Sequence, residues 1–224
     1  MQILKQETPL IKNTFWMIGG FASRFIIQAV YFLILARILM PSGYGIFAGA
    51  SAIVTILSPF ATWGSGNILI KHVSRKPESF SVYWGAALTI SLISGTALIF
   101  LSVLVSLTIF GVRETFSVLL PIAIGDLLGI RMAELSGQAF QSRLRFSHTS
   151  RIWFILSFLR LSGVALFFLL PDKNTETWAS IYMLSGLLSG FSSIVWASHS
   201  LGKGIISLKP LKNELKEGFY FSIG

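Results

Sequence analysis

The sequence has no cysteine among its 224 residues. Disulfide bonds and metal sites built from thiolates are therefore excluded. Charged residues are scarce as well, since Asp, Glu, Lys and Arg together make up 12% of the chain, against about 25% in soluble domains. Hydrophobic residues make up 53%. This composition excludes an ordinary water-soluble domain and predicts an integral membrane protein.

Motifs of common enzymes are missing too. The chain has no phosphate-binding Gly-Lys-Ser/Thr loop, no H-E-x-x-H and no G-x-S-x-G. Its three histidines, His72, His148 and His199, are far apart in the sequence, and every predicted loop is short. We therefore expect no catalytic residue, no metal site and no cofactor. The net charge of +9 is typical of a membrane protein with basic cytoplasmic loops, so we expect no nucleic-acid partner.

The stretch 13–44 contains about 24 mostly apolar residues, which suits a membrane-spanning helix, and Arg24 lies inside it. An arginine at the centre of such a helix costs about 2.5–3.5 kcal/mol on insertion scales, so it should face protein or water. At about 100° per residue, four other residues fall within about 40° of Arg24. They are Asn13, Gly20, Gln28 and Tyr31. We predict that this stripe lines a substrate-binding cavity.

A second interpretation of Arg24 remains open. A carboxylate on a neighbouring helix, Asp126 or Glu134, would neutralise the arginine and hold the helices together. The cavity interpretation is favoured because the polar residues extend along the helix instead of supplying one local partner.

Six apolar spans are separated by short charged loops. They cover residues 14–39, 44–70, 83–111, 116–141, 152–170 and 178–200. The second contains Pro59 and the run Trp63-Gly-Ser-Gly-Asn67, which we expect to kink or break it. We predict an all-α integral membrane protein with one six-helix lobe. Its parts would be a cytoplasmic N-terminus at 1–13, the lobe at 14–200, a cytoplasmic basic loop at 201–217 and the truncated start of a seventh helix at 218–224.

The basic residues predict the orientation. With a cytoplasmic N-terminus, twelve of the 18 Lys and Arg residues lie on the cytoplasmic side and three lie outside. The remaining three, Arg24, Arg131 and Arg160, lie within spans. Cytoplasmic loops carry an excess of Lys and Arg, so both termini are predicted to be cytoplasmic.

Three pairs of glycines one helical turn apart predict close helix packing. The pairs are Gly45 with Gly49, Gly125 with Gly129, and Gly186 with Gly190. Packing within the chain is the favoured interpretation, and dimerisation through one of these faces is the alternative.

The fourth and fifth spans carry further polar residues. Arg131 and Glu134, at i and i+3, can pair along their helix. On an α-helical wheel Asp126 points about 140° away from Arg131, toward a different neighbour; it is a candidate coupling-ion site or an ion-pair partner.

Arg131 and Arg160 are candidate substrate-binding residues. Three cations and two acids within the spans leave one positive charge, which suits a phosphate-bearing ligand because the guanidinium donates bidentately.

One segment is similar to the N-terminal signature of a transporter family. The run Ala36-Arg-Ile-Leu-Met40-Pro-Ser-Gly-Tyr44-Gly-Ile-Phe-Ala48 resembles that of the Wzx-type polysaccharide (O-antigen) flippases, with Met40 where the family usually has Gly. Two further segments look similar to that family as well. One runs from Phe60-Ala-Thr-Trp-Gly64 to Ile70-Lys71, and the other is Gln138-Ala-Phe-Gln-Ser-Arg143-Leu-Arg145.

This resemblance implies the N-terminal half of a two-lobe transporter in the multidrug/oligosaccharidyl-lipid/polysaccharide exporter superfamily. Such a protein would lie in the bacterial inner membrane and move an undecaprenyl-diphosphate-linked oligosaccharide across it by alternating access. Its implied partners are the lipid-linked oligosaccharide, the bilayer, the polysaccharide polymerase and the chain-length machinery. A cationic cavity residue on the first helix recurs in such flippases, and Arg24 is the matching position.

Two other functions stay open. A cation-coupled multidrug exporter of the same superfamily would favour carboxylates over arginines in its cavity. A membrane scaffold or assembly partner would transport nothing, and the apparent truncation at the C-terminus is compatible with it.

Overall fold

The computed structural model describes the chain from Ile3 to Ile205, with side chains from Phe25 onward. The predicted start of a seventh helix at 218–224 and most of the basic loop 201–217 lie outside these residues. So do the side chains of Asn13 and Arg24.

Six helices make up the described chain, and no strand occurs between Ile3 and Ile205. Their bounds are α1, Ile3–Leu57; α2, Ser65–Arg75; α3, Phe80–Ile109; α4, Val112–Gln141; α5, Phe146–Leu169; and α6, Thr175–Leu201. Within them, five stretches are long and apolar enough to cross a membrane. The first of the five is Phe25–Arg75, so α1 and α2 count together. The prediction of an all-helical, multi-pass protein is confirmed.

Helix α1 is interrupted at Met40, whose backbone has φ 58° and ψ 171°. Its two arms are residues 3–39 and 41–57. A residue before proline is disfavoured in the α conformation, so Pro41 explains the position of the break. The positive φ is a conformation that glycine adopts without steric cost, which accounts for glycine being usual here in the family that the segment resembles. An unbroken helix of this length would measure about 80 Å, against about 30 Å of hydrocarbon.

The expected break near Pro59 is confirmed. Helix α1 ends at Leu57, a 3₁₀ turn covers Ser58–Ala61, and α2 starts at Ser65. Two residues in this break have positive φ, Trp63 at 47° and Gly64 at 64°. The Ser94 hydroxyl of α3 donates to the Ala61 carbonyl at 2.5 Å, which satisfies one backbone group that the break frees.

Glycines bring α4 and α6 into backbone contact. A Cβ added at Gly129 would collide with the backbone of Gly186, and one added at Gly190 would collide with that of Gly129. Gly125 likewise approaches the backbone of α6. Packing within the chain is therefore confirmed for two of the three glycine pairs. In the third pair, Gly49 lies against the ring of Phe110, whereas Gly45 faces open space.

The interior contains two main apolar clusters. One includes Phe47 of α1, Phe167 of α5 and Trp178 of α6. The other includes Trp84 of α3 and Phe140 of α4. Many large apolar side chains on the outer surface are exposed, as expected for helices that face lipid.

The two ends of the bundle differ in charge. At one end, which we call the basic end, Arg143 donates to the Pro77 carbonyl at 2.6 Å and the Ile205 N–H donates to the Ser81 carbonyl at 2.8 Å. Its described Lys and Arg residues are Lys71, Arg75, Lys76, Arg143, Arg145, Arg151 and Lys203, accompanied by Glu78. At the opposite end the described charged residues are three cations and three acids, so their charges cancel. They are Arg37, Arg113 and Lys173, and Glu114, Asp172 and Glu176.

Candidate functional site

A polar cavity of about 240 Å³ lies among α1, α4, α5 and α6. Both arms of α1 contribute to it, as does the 3₁₀ turn that follows. Its lining residues are Ile27, Gln28, Tyr31, Phe32, Ser51, Thr55, Ser58, Asp126, Ile130, Arg131, Leu156, Ser157, Arg160 and Tyr182. The break at Met40 lets both arms of α1 reach one site, and the turn at Ser58 adds a third contribution from the same part of the chain.

Most of the residues singled out in the sequence meet in this cavity. Gln28, Tyr31, Asp126, Arg131 and Arg160 all line it. Glu134 is not among the lining residues, but it contacts Arg131. The roles predicted for Asn13 and Arg24 stay predictions, because their side chains lie outside the described part of the chain.

Arg131 is held by polar groups on several sides. Its Nη1 donates to Glu134 Oε2 at 2.5 Å, and its Nη2 donates to Ser58 Oγ at 2.6 Å. Its Nε lies 4.0 Å from Asp126 Oδ1. The predicted pairing of Arg131 with Glu134 is confirmed. The contact with Ser58 fastens α4 to the turn at which α1 ends.

The predicted direction of Asp126 is wrong, because the α-helical wheel does not apply where it lies. Residues Ile124–Ile130 form a π-helix, and the Arg131 N–H donates to the Asp126 carbonyl. This i to i+5 pairing places Arg131 one wider turn after Asp126, on the same side of the helix. The carboxylate therefore reaches Arg131 instead of pointing away from it.

Arg160 is surrounded differently. Its side chain is buried, with 7% exposed, and its guanidinium carbon lies 4.3 Å from the ring centre of Tyr182 and 5.9 Å from that of Tyr31. Nε and Nη2 have no hydrogen-bond partner. Among the residues that the structure describes, no carboxylate forms an ion pair with it. Aromatic faces attract a cation, but Nε and Nη2 stay without a hydrogen-bond partner.

Sequence reasoning missed Tyr182. Its hydroxyl donates to Asp126 Oδ2 at 3.3 Å, and its ring lies under the Arg160 guanidinium. A signal for it existed, since Tyr182 lies three residues before Ser185 and seven before Ser189, on the same helical face. Ser58 was missed as well. No periodic pattern could have found it, because it lies in the irregular turn between helices.

The cavity offers hydroxyl groups, aromatic faces, two guanidinium groups and the Asp126 carboxylate at mid-helix depth. Such a lining can hydrogen-bond a polar ligand and attract an anion. Among the side chains from Phe25 to Ile205, no group of three metal-ligating residues occurs.

Comparison with protein families matches residues 10–224 to a family described as polysaccharide biosynthesis protein. The match covers nearly the whole chain. The chain belongs to this family. A comparison with curated proteins and one with solved structures found no significant match. Family membership and the apolar helices together identify a multi-pass membrane protein of polysaccharide biosynthesis.

In this polysaccharide biosynthesis protein, two of the segments that resemble flippases pack together. Gly66 of α2 lies against the side chain of Gln138 of α4, where an added Cβ would collide. The first segment is near the opposite end of the bundle, where the Thr175 hydroxyl donates to the Gly43 carbonyl at 3.4 Å. These residues position helices around the cavity and do not line it.

Proposed function

We propose that this protein is a flippase for a lipid-linked oligosaccharide, an undecaprenyl-diphosphate carrying an O-antigen, capsule or exopolysaccharide repeat unit. The proposal follows mainly from one observation. A protein of the polysaccharide biosynthesis family encloses, between apolar helices, a polar cavity with two arginines. A diphosphate headgroup with attached sugar needs cationic donors and hydroxyl partners to cross hydrocarbon, while its prenyl tail stays in lipid.

In the proposed mechanism the chain forms one six-helix lobe of a two-lobe transporter in the bacterial inner membrane. The sugar and diphosphate enter from the cytoplasmic side, and rocking of the lobes exposes them on the other side. Arg24 and Arg160 attract the diphosphate. Arg131 positions the cavity wall, because Glu134 and Ser58 already accept hydrogen bonds from its Nη1 and Nη2 groups. The polymerase and the chain-length machinery would take the product.

The alternatives receive less support. A cation-coupled exporter needs a carboxylate that can bind the coupling ion. The two acids away from the helix ends in the described spans, Asp126 and Glu134, both contact Arg131. No observation in the described residues points specifically to a scaffold that transports nothing.

Substitution of Arg24 tests the proposed function in cells that depend on this gene for their surface polysaccharide. Arg24→Ala should abolish surface polysaccharide and cause lipid-linked repeat units to accumulate at the cytoplasmic leaflet. Arg24→Lys keeps the charge but loses the planar fork, so it should retain part of the export. Surface polysaccharide and lipid-linked intermediates are quantified together.

Arg113→Ala is the control. It removes an exposed arginine from the surface pair with Glu176, where ion pairs contribute little, and it should export normally. Membrane amounts of all variants are compared by immunoblot. Normal export by the Arg24→Ala variant at normal membrane levels would contradict the role of Arg24 in the cavity.

A further inference from the structure

Two residues at the end of a family-like segment have no part in the cavity. Leu144 and Arg145 close the segment that begins at Gln138, and both are exposed at the basic end. Within the described part of the chain, the Arg145 side chain forms no ion pair. Both residues directly precede α5, a helix with an exposed apolar face.

Leu144 adopts a backbone conformation that favours glycine. Its φ is 57°, its N–H donates to the Gln141 carbonyl at 2.8 Å, and the Arg145 N–H donates to the Phe140 carbonyl at 3.0 Å. Helices that end with these two bonds usually have glycine at the position of Leu144, because a side chain is strained there. The leucine side chain is nevertheless 71% exposed and packs in no core. The turn therefore presents an apolar side chain beside a cation.

The exposed face of α5 continues into a second cation. Phe154 and Phe158 are exposed at the spacing of one helical face. Arg151 extends the same face toward the basic end; it is exposed and, among the described residues, has no ion-pair partner. Arg145 is the N-cap residue of this helix, about 9 Å from Arg151 along the axis. Two extended arginine side chains can reach one headgroup across that distance.

The neighbouring exposed face, on α6, lacks this arrangement. It contains Leu188, Phe191 and Val195, and it ends at the basic end with His199 instead of an arginine. The described acid of the basic end, Glu78, lies in the loop between α2 and α3. A lipid on the α5 face would therefore meet two arginines and no described acid on that helix, which selects for an anionic headgroup.

We propose that Arg145 and Arg151 form a headgroup site for an anionic phospholipid of the surrounding bilayer. Its acyl chains lie along Phe154 and Phe158, and Leu144 enters the membrane interface beside it. Charge complementarity and the continuity of the cations with a lipid-facing surface favour this occupant, whereas a soluble anion would not need the apolar face. The site lies outside the cavity and does not depend on the proposed function.

Native mass spectrometry of the full chain in a neutral detergent tests the site. Phosphatidylglycerol and phosphatidylcholine with identical acyl chains are titrated separately, and the parent should bind phosphatidylglycerol about tenfold more tightly. Arg145→Gln combined with Arg151→Gln should weaken phosphatidylglycerol binding tenfold or more, because each surface cation contributes about fivefold. Phosphatidylcholine binding should stay unchanged, which shows that the variant is folded. Equal affinity of the parent for both lipids, or unchanged phosphatidylglycerol binding by the variant, would overturn the proposal.

A matched control removes two charges elsewhere at the basic end. Arg75→Gln combined with Lys76→Gln neutralises two exposed cations next to the loop between α2 and α3. This variant should bind phosphatidylglycerol within about twofold of the parent. A loss as large as that of the α5 variant would show attraction to the whole basic end and would overturn the assignment to α5.

Substitutions of Leu144 test its part in the site. Leu144→Gly removes the side chain and relieves the strained φ, so the thermal unfolding midpoint should not fall while phosphatidylglycerol binding weakens about threefold. Leu144→Met keeps an apolar side chain and should bind as the parent does. Unchanged binding by Leu144→Gly would contradict the insertion of Leu144 beside the lipid.

Photolabelling in nanodiscs locates the bound lipid. Phosphatidylglycerol with a diazirine in its acyl chain should label residues 151–158 of α5 more than residues 188–195 of α6, as mapped by mass spectrometry of peptides. A phosphatidylcholine probe should label both faces to similar extents. Equal labelling of the two faces by the phosphatidylglycerol probe would show only a general lipid shell and would overturn the proposal.

Discussion

At the scale of single residues, two arginines in one cavity are in opposite energetic situations. Arg131 bonds Glu134 and Ser58. Arg160 has aromatic faces and two idle donors. The sequence places both within apolar spans and does not distinguish them. The difference arises from which side chains neighbouring helices bring close, and so it is decided by packing.

These situations predict stability changes of opposite sign. Burying an unpaired ion destabilises the folded protein by several kcal/mol. The cation–π contact with Tyr182 stabilises it by about 0.5–2 kcal/mol. The burial cost is larger, so Arg160→Gln should raise the thermal unfolding midpoint in phosphate-free detergent. Arg131→Gln leaves Glu134 and Asp126 without their cation and should lower stability by about 1–2 kcal/mol, a value discounted for partial exposure.

Unfolding of the two variants is followed by tryptophan fluorescence. A lower midpoint for Arg160→Gln without phosphate would mean that the charge is compensated in the folded protein.

At the scale of helices, irregular geometry decides what reaches the cavity. The separation of the spans 14–39 and 44–70, which contains Pro41, and the break near Pro59 could be predicted because proline and glycine act on the local backbone. The π-helix at Ile124–Ile130 has no comparable signal, and it reversed the predicted direction of Asp126. An extra residue per turn shifts every later side chain on the helix.

Glycine packing provides a matched pair of substitutions at this scale. Gly129→Ala places a Cβ into the backbone of Gly186, and overpacking of this kind costs about 1–3 kcal/mol. Gly45→Ala adds the same atom where nothing lies within 4 Å and should be neutral or slightly stabilising. Thermal unfolding in one detergent compares them. An equal effect of both substitutions would contradict the close approach of α4 and α6.

At the scale of the whole molecule, the described chain has a basic end and an opposite, electrically balanced end. At the basic end, the hydrogen bond from Arg143 to the Pro77 carbonyl links two loops. At the other end, the ion pair of Arg113 with Glu176 links α4 to α6. Because basic loops prefer the cytoplasm, this asymmetry predicts that the basic end faces the cytoplasm.

Single cysteines measure the orientation directly, because the chain has none of its own. Ser74→Cys lies near the basic end and Asp172→Cys in the loop between α5 and α6; both positions are exposed. A membrane-impermeant maleimide added to intact spheroplasts should label Cys at position 172 and not at 74. Both should react after the membrane is permeabilised. The reverse pattern in intact spheroplasts would invert the predicted topology.

The sequence alone determined that this is a helical membrane protein with cations in its apolar spans, because composition, span length and proline act locally or additively along the chain. It also placed Gln28, Tyr31 and Arg160 among the candidate residues. Only the tertiary structure decided that Tyr182 lies against Arg160 and that Asp126 reaches Arg131. Those contacts depend on the π-helix, which no spacing along the chain specifies. They also depend on α4 packing against α6, and the glycine spacing predicts close packing without naming the partner helix.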